Sequence, residues 1–344
     1  MKLSSFVSFD LFSGVGGLTE GLRMAGFDTK YAFELDKIAS KAYSLNHTAT
    51  TIITKDIRDV DPQEIKENLG GVDIHLLAGC PPCQGFSSIR RLNKSAPVDD
   101  PRNSLINEYV RFVECFQPYT IMLENVPWLE QNTLFVEAKK KLETLGYKID
   151  TAVVNVKDYG VPQNRKRLVM VGSRLGTISI AKPNAKRVTV RDCIGKLPLP
   201  KNSKDELHKI FPTHTPKIMK LIEDIPHNGG SRKDLGKSRQ LACHNKENIG
   251  FGDVYGRLRW DDYSSTITGG CLNPSKGRFL HPDQDRCISG REAALLQSFP
   301  RKYQFPTDVP KANIALMIGN ALPPIFSYCQ AINIRRHLKK HIKK

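Results

Sequence analysis

No stretch of this sequence approaches the roughly 20 consecutive apolar residues that a membrane-spanning helix needs, which excludes a helical membrane protein. The opening residues, MKLSSFVSFDLF, carry one lysine and then a strand-like run holding an aspartate. They lack the long apolar core and small-residue cleavage site of a secretion signal, so an intracellular location is expected. Cysteine is sparse: eight residues, at 80, 83, 115, 193, 243, 271, 287 and 329, scattered apart from the first pair. That distribution does not describe a secreted disulfide framework. A structural zinc would need a second close Cys or His pair, and only the adjacent Cys243-His244 comes near, so no metal is expected. No internal repeat is visible. Acidic residues are also in short supply, 35 against 52 lysines and arginines, leaving a net charge of +17. An excess of that size favours a polyanionic partner, because lysine and arginine gain affinity by displacing counterions from phosphates.

What is present is an alternation. Strand signals at 6–12, 30–33, 51–53, 74–77, 120–123, 152–156 and 168–171 are separated by helical patterns, notably 18–25, 104–116 and 132–145. The rhythm predicts an α/β fold, a mostly parallel sheet covered by helices on both faces, with ligands at the carboxyl ends of the strands. From about residue 175 the character changes to prolines, glycines, asparagines and basic residues, too long for one structureless loop. A second, smaller irregular domain is therefore expected. Helical patterns return at 289–297, 313–319 and 325–338.

Three places carry chemistry. After the first strand, Asp10 and Phe12 precede a turn with Gly14, Gly16 and Gly17, where backbone can approach a ligand closely. The spacing is not that of a dinucleotide fingerprint. Glu34, ending the second strand, can take both hydroxyls of a ribose, and Asp56 can accept from an adenine amino group; their order along the sheet favours an adenosyl cofactor. The second place is GCPPCQGFSS (79–88), which follows a buried strand. Prolines 81 and 82 make a rigid approach to Cys83. A redox CxxC normally opens a helix whose dipole supports the thiolate, whereas QGFSS reads as a loop, so a single nucleophilic thiol at Cys83 is favoured and Cys80 is expected to be a buried neighbour. The third place supplies partners: Glu124 at the end of its strand, able to protonate a ring nitrogen if burial raises its pKa, and Arg165 and Arg167, expected on one face of the incoming strand and able to grip a carbonyl or phosphate.

Together these segments resemble the DNA (cytosine-5)-methyltransferases. The resemblance is carried, in order, by DLFSGVGG (10–17), FELD (33–36), KDI (55–57), GCPPCQGFS (79–87), DDPRNSL (99–105), ENV (124–126), QNRKRL (163–168), REAALLQSFP (291–300) and GNALPP (319–324). Ser13 in place of a common alanine, and Ser289-Gly290 in place of Leu-Thr, are the departures, and Gly290 is expected to loosen the start of its helix. The resemblance implies a Rossmann-like methyltransferase domain using S-adenosylmethionine, with Phe12 stacking on adenine, Glu34 on the ribose, Asp56 on the adenine amino group, and Gly14, Gly16, Gly17, Leu105 and Asn320 completing the cofactor site. It implies covalent addition of Cys83 to carbon 6 of a flipped-out cytosine in double-stranded DNA, Glu124 protonating N3, and Arg165 and Arg167 holding the base and supporting the site.

The expected division is a catalytic and cofactor-binding domain at 1–175 plus 312–344 and a target-recognition domain at 176–311, with the 289–298 helix at its end. Arg232, Arg257, Arg259, Thr266 and Thr268 are the candidate DNA contacts in it. The family setting implies a monomer in the bacterial cytoplasm, within a restriction–modification system whose endonuclease shares the target. An RNA cytosine-5 methyltransferase is the alternative. A catalytically silent DNA binder would have no reason to keep Cys83 beside Glu124, and a thiol oxidoreductase would need the helix that QGFSS does not suggest.

Overall fold

The computed structural model describes residues 6–82, 104–183, 186–241 and 253–342. The chain forms two compact units: Met1–Asn155 with Lys166–Asn184 and Leu322–Lys344, and Val156–Arg165 with Ala185–Ala321.

The first unit is built on seven strands: β1 (Phe6–Leu11), β2 (Phe27–Phe33), β3 (Thr51–Ile53), β4 (Leu76–Gly79), β5 (Thr120–Asn125), β6 (Lys148–Asn155) and β7 (Lys166–Ser173). Their order is β3-β2-β1-β4-β5-β7-β6. All neighbours are parallel except those of β7, which runs against both β5 and β6. The winding reverses between β1 and β4, the kind of switch point at which open sheets leave a crevice.

Side chains alternate across the strands, which sorts the core. Phe9, Leu11, Leu77, Ile121 and Leu123 face one way and pack with Tyr109, Phe112 and Val113 of α4 (Leu105–Phe116) and Phe135 and Leu142 of α5 (Thr133–Thr144). Ser8 and Asp10 face the other way, where Ser8 meets Thr29 of β2 and Asp10 meets Thr19 of α1 (Gly17–Met24), itself bonded to Tyr43 of α2 (Lys37–Asn46). Helices thus cover both faces. Asp36 caps α2 by accepting from the amides of Ile38 and Ala39, each at 2.8 Å. Asp61 caps the short α3 (Pro62–Asn68) in the same way.

The chain returns to this unit at its end. α11 (Pro324–His341), its apolar face formed by Phe326, Ile334 and Leu338, lies against α1 at Gly21. No described helix is long and apolar enough to cross a membrane.

The second unit has no named strand among its described residues, only isolated bridges such as Arg257 with Leu280. Its helices are α6 (Val190–Ile194), α7 (Glu206–Lys209), α8 (Pro216–Asp224), α9 (Gly290–Leu296) and α10 (Lys311–Asn320). One of its apolar clusters joins Leu221, Ile222 and Ile225 to Leu235, Val254, Tyr255 and Leu280.

Three expectations need correction. Residues 156–165 and 312–321 belong with the second unit, because Asn164 N–H donates to Ser264 O (2.9 Å) and Gln297 Nε2 to the carbonyls of Ile318 and Ala321 (both 2.8 Å). Residues 176–184 belong with the first, where Ile180 N–H donates to Asp150 (2.9 Å) and Asn333 Nδ2 to Ser179 O (2.6 Å). Gly290 does not loosen its helix: Ser289 and Glu292 form a capping box, and a Cβ at 290 would sit 2.8 Å from Leu207 Cδ1 and 3.1 Å from its carbonyl oxygen.

The α1–α11 contact allows no side chain at position 21. A Cβ there would fall 2.3 Å from Ser327 Cβ and 2.6 Å from Pro324 O and Tyr328 N. Gly21→Ala would gain roughly 1 kcal/mol of helix propensity, yet backbone atoms cannot swing aside. The variant should be destabilised by about 2 kcal/mol net or more, read as a lower urea midpoint at unchanged slope.

Candidate active site

Register brings the ends of three strands to one edge. Leu11 pairs with Gly79, and Gly79 with Leu123, so Phe12, Cys80 and Glu124 leave the sheet side by side. The turn after β1 is pinned to β2: Ser13 N–H donates to Phe33 O (2.9 Å) and Gly14 N–H to Glu34 Oε2 (2.8 Å). Gly14 (φ 54°) and Gly16 (φ 90°) occupy the left-handed region, which suits glycine, and Gly17 then starts α1. Phe12 adopts φ 60° without that freedom, a strain that a turn shaped for a ligand can explain. Its half-buried ring rests against the sheet core.

The other expected cofactor residues are distributed as follows. Glu34 Oε1 accepts from Asp36 N–H (2.7 Å), so each oxygen takes one backbone amide and keeps a second lone pair for a hydroxyl. Burial pushes its pKa up. Asp56 is held by Arg58 (Nη2–Oδ2 2.6 Å), whose hydrogen bonds lower its pKa to about 2. Leu105 is buried in the sheet core at the first turn of α4. Asn320 is exposed at the last position of α10, in the second unit.

The residue whose part sequence reasoning missed is Asp10. It is fully buried; Oδ2 accepts from Thr19 Oγ1 (2.6 Å), which also meets Tyr43 OH (2.9 Å), while Oδ1 has no partner among the described residues. A carboxylate oxygen left over four residues before Gly14 fits a polar group of an incoming ligand.

At the catalytic end, the approach to Cys83 is tied down: Cys80 N–H donates to Leu11 O (3.2 Å) and Asn125 Nδ2 to Pro81 O (2.8 Å). Cys83 itself and residues 84–103 lie outside the described residues. Asn125 was legible in the ENV motif, yet only its neighbour Glu124 was singled out. Glu124, buried, pairs with Arg167 Nε at 2.8 Å. Desolvation, then the charges of Glu124 and Asp10, push the Cys80 thiol well above its ordinary value. A thiol so hard to ionise is a poor redox partner for Cys83.

Arg165 and Arg167 do not share a strand face. β7 begins at Lys166, so Arg167 alone lies in the strand, while Arg165 is buried in the second unit, donating to the carbonyls of Ile267 (2.8 Å) and Gly319 (3.0 Å). Beside it Gln163 is also a framework residue, bonded to Gln297 and accepting from Ile267 N–H (2.9 Å).

Among the expected DNA contacts, two are corrected. Arg257 is fully buried and donates to the carbonyls of Ile222, Ile225, His281 and Gln284 and to Asp285. Arg232 is 3% exposed and bonded to Gln240 (3.1 Å). Buried cations bonded within the fold hold loops together and do not reach DNA. Arg259 is exposed, Thr266 donates to Asn164 O (2.8 Å), and Thr268 Oγ1 accepts from Gly270 N–H (3.3 Å).

The buried acid gives a pH test. Burial, opposed by the Thr19 hydrogen bonds, raises Asp10 to about 7, whereas an unfolded aspartate ionises near 4. Between those values only the folded state keeps the proton, so stability falls as pH rises from about 4 to about 7 and the full penalty persists above. Compared with Asp10→Asn, the wild type should lose on the order of 2 kcal/mol between pH 5 and pH 8, read as a Tm difference that changes with pH. A difference independent of pH would contradict a buried, titrating Asp10.

The family model for C-5 cytosine-specific DNA methylases matches residues 6–333. The chain is 36% identical over 343 residues to the type II methylase M.HgiDII of Herpetosiphon aurantiacus, spanning 96% of this chain and 95% of that protein. It is 32% identical over 345 residues to the type II methyltransferase M1.BsuMI of Bacillus subtilis strain 168, spanning 94% and 79%. A crystal structure of a DNA modification methyltransferase encoded within an E. coli prophage superposes with a TM-score of 0.75 at 26% identity, covering 97% of this chain and 99% of that one. The match runs through both compact units, and the chain belongs to the C-5 cytosine-specific DNA methylases.

Proposed function

We propose that the protein methylates carbon 5 of a flipped-out cytosine within a specific double-stranded DNA sequence, through a covalent adduct with Cys83 and with S-adenosylmethionine as the donor. The observation that carries this reading is the Glu124–Arg167 pair at the sheet edge, next to the Cys80–Pro82 segment that Asn125 holds in place and that leads into Cys83.

The residues fit the donor. Glu34 keeps lone pairs for the ribose hydroxyls, Phe12 offers a ring beside the glycine turn, Asp56 is a half-buried acceptor oriented by Arg58, and Asp10 Oδ1 has no partner among the described residues. Gly14, Gly16 and Gly17 present no side chain at three positions of the turn; Leu105 and Asn320 complete the proposed set. When bound, S-adenosylmethionine supplies an electrophilic methyl group.

The protein's own task is to make carbon 5 nucleophilic. The Cys83 thiolate adds to carbon 6, and the electron pair of the 5,6 double bond moves into the ring. Glu124 donates a proton to N3, so no negative charge accumulates there, and carbon 5 becomes an enamine carbon. Arg167 fixes the Glu124 carboxylate from the side, while Arg165 would hold the base oxygen or the backbone around it. Once carbon 5 carries the methyl group, a base takes its proton, the carbon–hydrogen pair restores the 5,6 double bond, Cys83 leaves as the thiolate with the carbon–sulfur pair, and the N3 proton returns to Glu124. A base inside a duplex cannot be reached this way, so flipping costs a few kcal/mol of stacking and pairing.

The second unit, Val156–Arg165 with Ala185–Ala321, would read the target. A net charge of +17 suits a DNA substrate. The biological setting proposed is protection of DNA against a restriction endonuclease of the same specificity, by a monomer in the bacterial cytoplasm.

Duplexes carrying 5-fluorocytosine test the chemistry, because fluorine cannot leave as a proton does. With S-adenosylmethionine present, the wild type should be trapped covalently on DNA and Cys83→Ser should not. Glu124→Gln should form the adduct about 100-fold more slowly or worse. Absence of an adduct, with salt-sensitive DNA binding retained, would identify a silent binder. Suppression of DNA methylation by excess structured RNA that is itself methylated would identify the RNA enzyme instead.

A further inference from the structure

Arg257, Arg259 and Arg278 belong to one loop cluster of the second unit, and two of them are consumed by the fold. Arg257 is sealed inside, its guanidinium spent on four backbone carbonyls and Asp285. Arg278 pairs with Asp253 (2.7 Å) and donates to the carbonyls of Gly229 (2.8 Å), Gly230 (3.3 Å) and Arg257 (2.8 Å). Arg257 N–H donates to Gly230 O (2.8 Å), and Asn228 is bonded on both sides, to Pro282 O and from Trp260 N–H (each 2.8 Å). Together these bonds immobilise residues 228–230.

The third arginine lies on that immobilised segment. Gly229 has φ +107°, and a Cβ on it would fall 2.4 Å from Arg259 Cγ and Nε and 2.9 Å from Cδ. The Arg259 stem is therefore bedded on bare backbone. Its neighbours are anchored, Leu258 in the core and Trp260 by its indole N–H to Asp283 (2.6 Å). Yet Arg259 is exposed, and its guanidinium has no hydrogen bond or ion pair among the described residues. A merely solvated charge needs no such bed. A phosphate contact also tolerates a loose side chain, since it reads only charge. A fixed stem with a free planar fork is the arrangement that makes paired hydrogen bonds in one geometry.

We infer that Arg259 is a base-reading side chain, donating two parallel hydrogen bonds to O6 and N7 of a guanine in the major groove. The inference rests on the reading of the second unit as the DNA-recognising part of a methyltransferase.

Methylation of a duplex library randomised around the target tests it, comparing wild type with Arg259→Ala, Arg259→Lys and Gly229→Ala. Arg259→Ala should lose preference for guanine at one target position by about 5- to 100-fold, leaving the other positions unchanged. Arg259→Lys, which keeps the charge without the fork, should fail at the same position. Gly229→Ala should relax that position too by displacing the stem; should it unfold, seen by thermal melting, the exposed Arg259→Lys still decides the matter. A uniform loss across all sequences, with the salt dependence of binding shallower by about one, would make Arg259 a phosphate contact and overturn the inference. An unchanged target profile would overturn it as well. Sequence-specific methylation by the wild type in either case leaves the proposed function standing, whereas no methylation by the wild type removes that reading and this inference with it.

Discussion

The reversed direction of β7 is the constraint on which the proposed catalytic edge depends. Because β7 runs against β5, its first residues lie at the edge where the parallel strands end. Glu124 pairs in register with Val169, so Arg167, two residues earlier on the same strand face, reaches Glu124 diagonally. A parallel strand in that place would deliver Arg167 to the opposite edge. Both partners are largely buried, with 15% and 9% of their side chains exposed, so removal of either would leave an uncompensated charge in the interior. The pair ties the orientation of the proposed acid to the topology of the sheet.

The same edge gathers the nucleotide-like half of the site. Leu11, Gly79 and Leu123 in register align the ends of β1, β4 and β5, and the reversal of winding between β1 and β4 lets the glycine turn and the Cys-Pro-Pro segment diverge from one point. Glu34 closes the turn by taking the Gly14 amide while keeping acceptor capacity outward. Cys80 and Asn125 anchor the described residues that lead to Cys83. The residues that precede Cys83, the proposed nucleophile, are thereby tied down.

In the second unit, backbone organised by strands gives way to backbone organised by arginines. With no named strand among the described residues there, carbonyls that a sheet would satisfy are taken by Arg257 and Arg278. An arginine offers five donors on one plane and can close several loops at once. Basic residues in an irregular segment are therefore not equivalent: some replace the missing sheet, and only those left over can meet a polyanion.

Much of the fold and site was legible in one dimension. Alternating strand and helix patterns follow from local periodicity, and Glu34, Cys83 and Glu124 declare themselves because each stands at or shortly past the carboxyl end of a strand, where an α/β sheet binds its ligands. Other properties depend on partners distant in sequence. The burial of Asp10 with one oxygen unpaired arises from Thr19 and Tyr43 on two different helices. The separation of Arg165 from Arg167 comes from the boundary between the units at Lys166, set by bonds to residues 264–267 and 319. Arg257 and Arg259 look alike in GRLRW, two residues apart and equally charged. Only the three-dimensional arrangement separates them, because a guanidinium's role depends on whether carbonyls from other segments surround it or solvent does, and local sequence does not encode that neighbourhood.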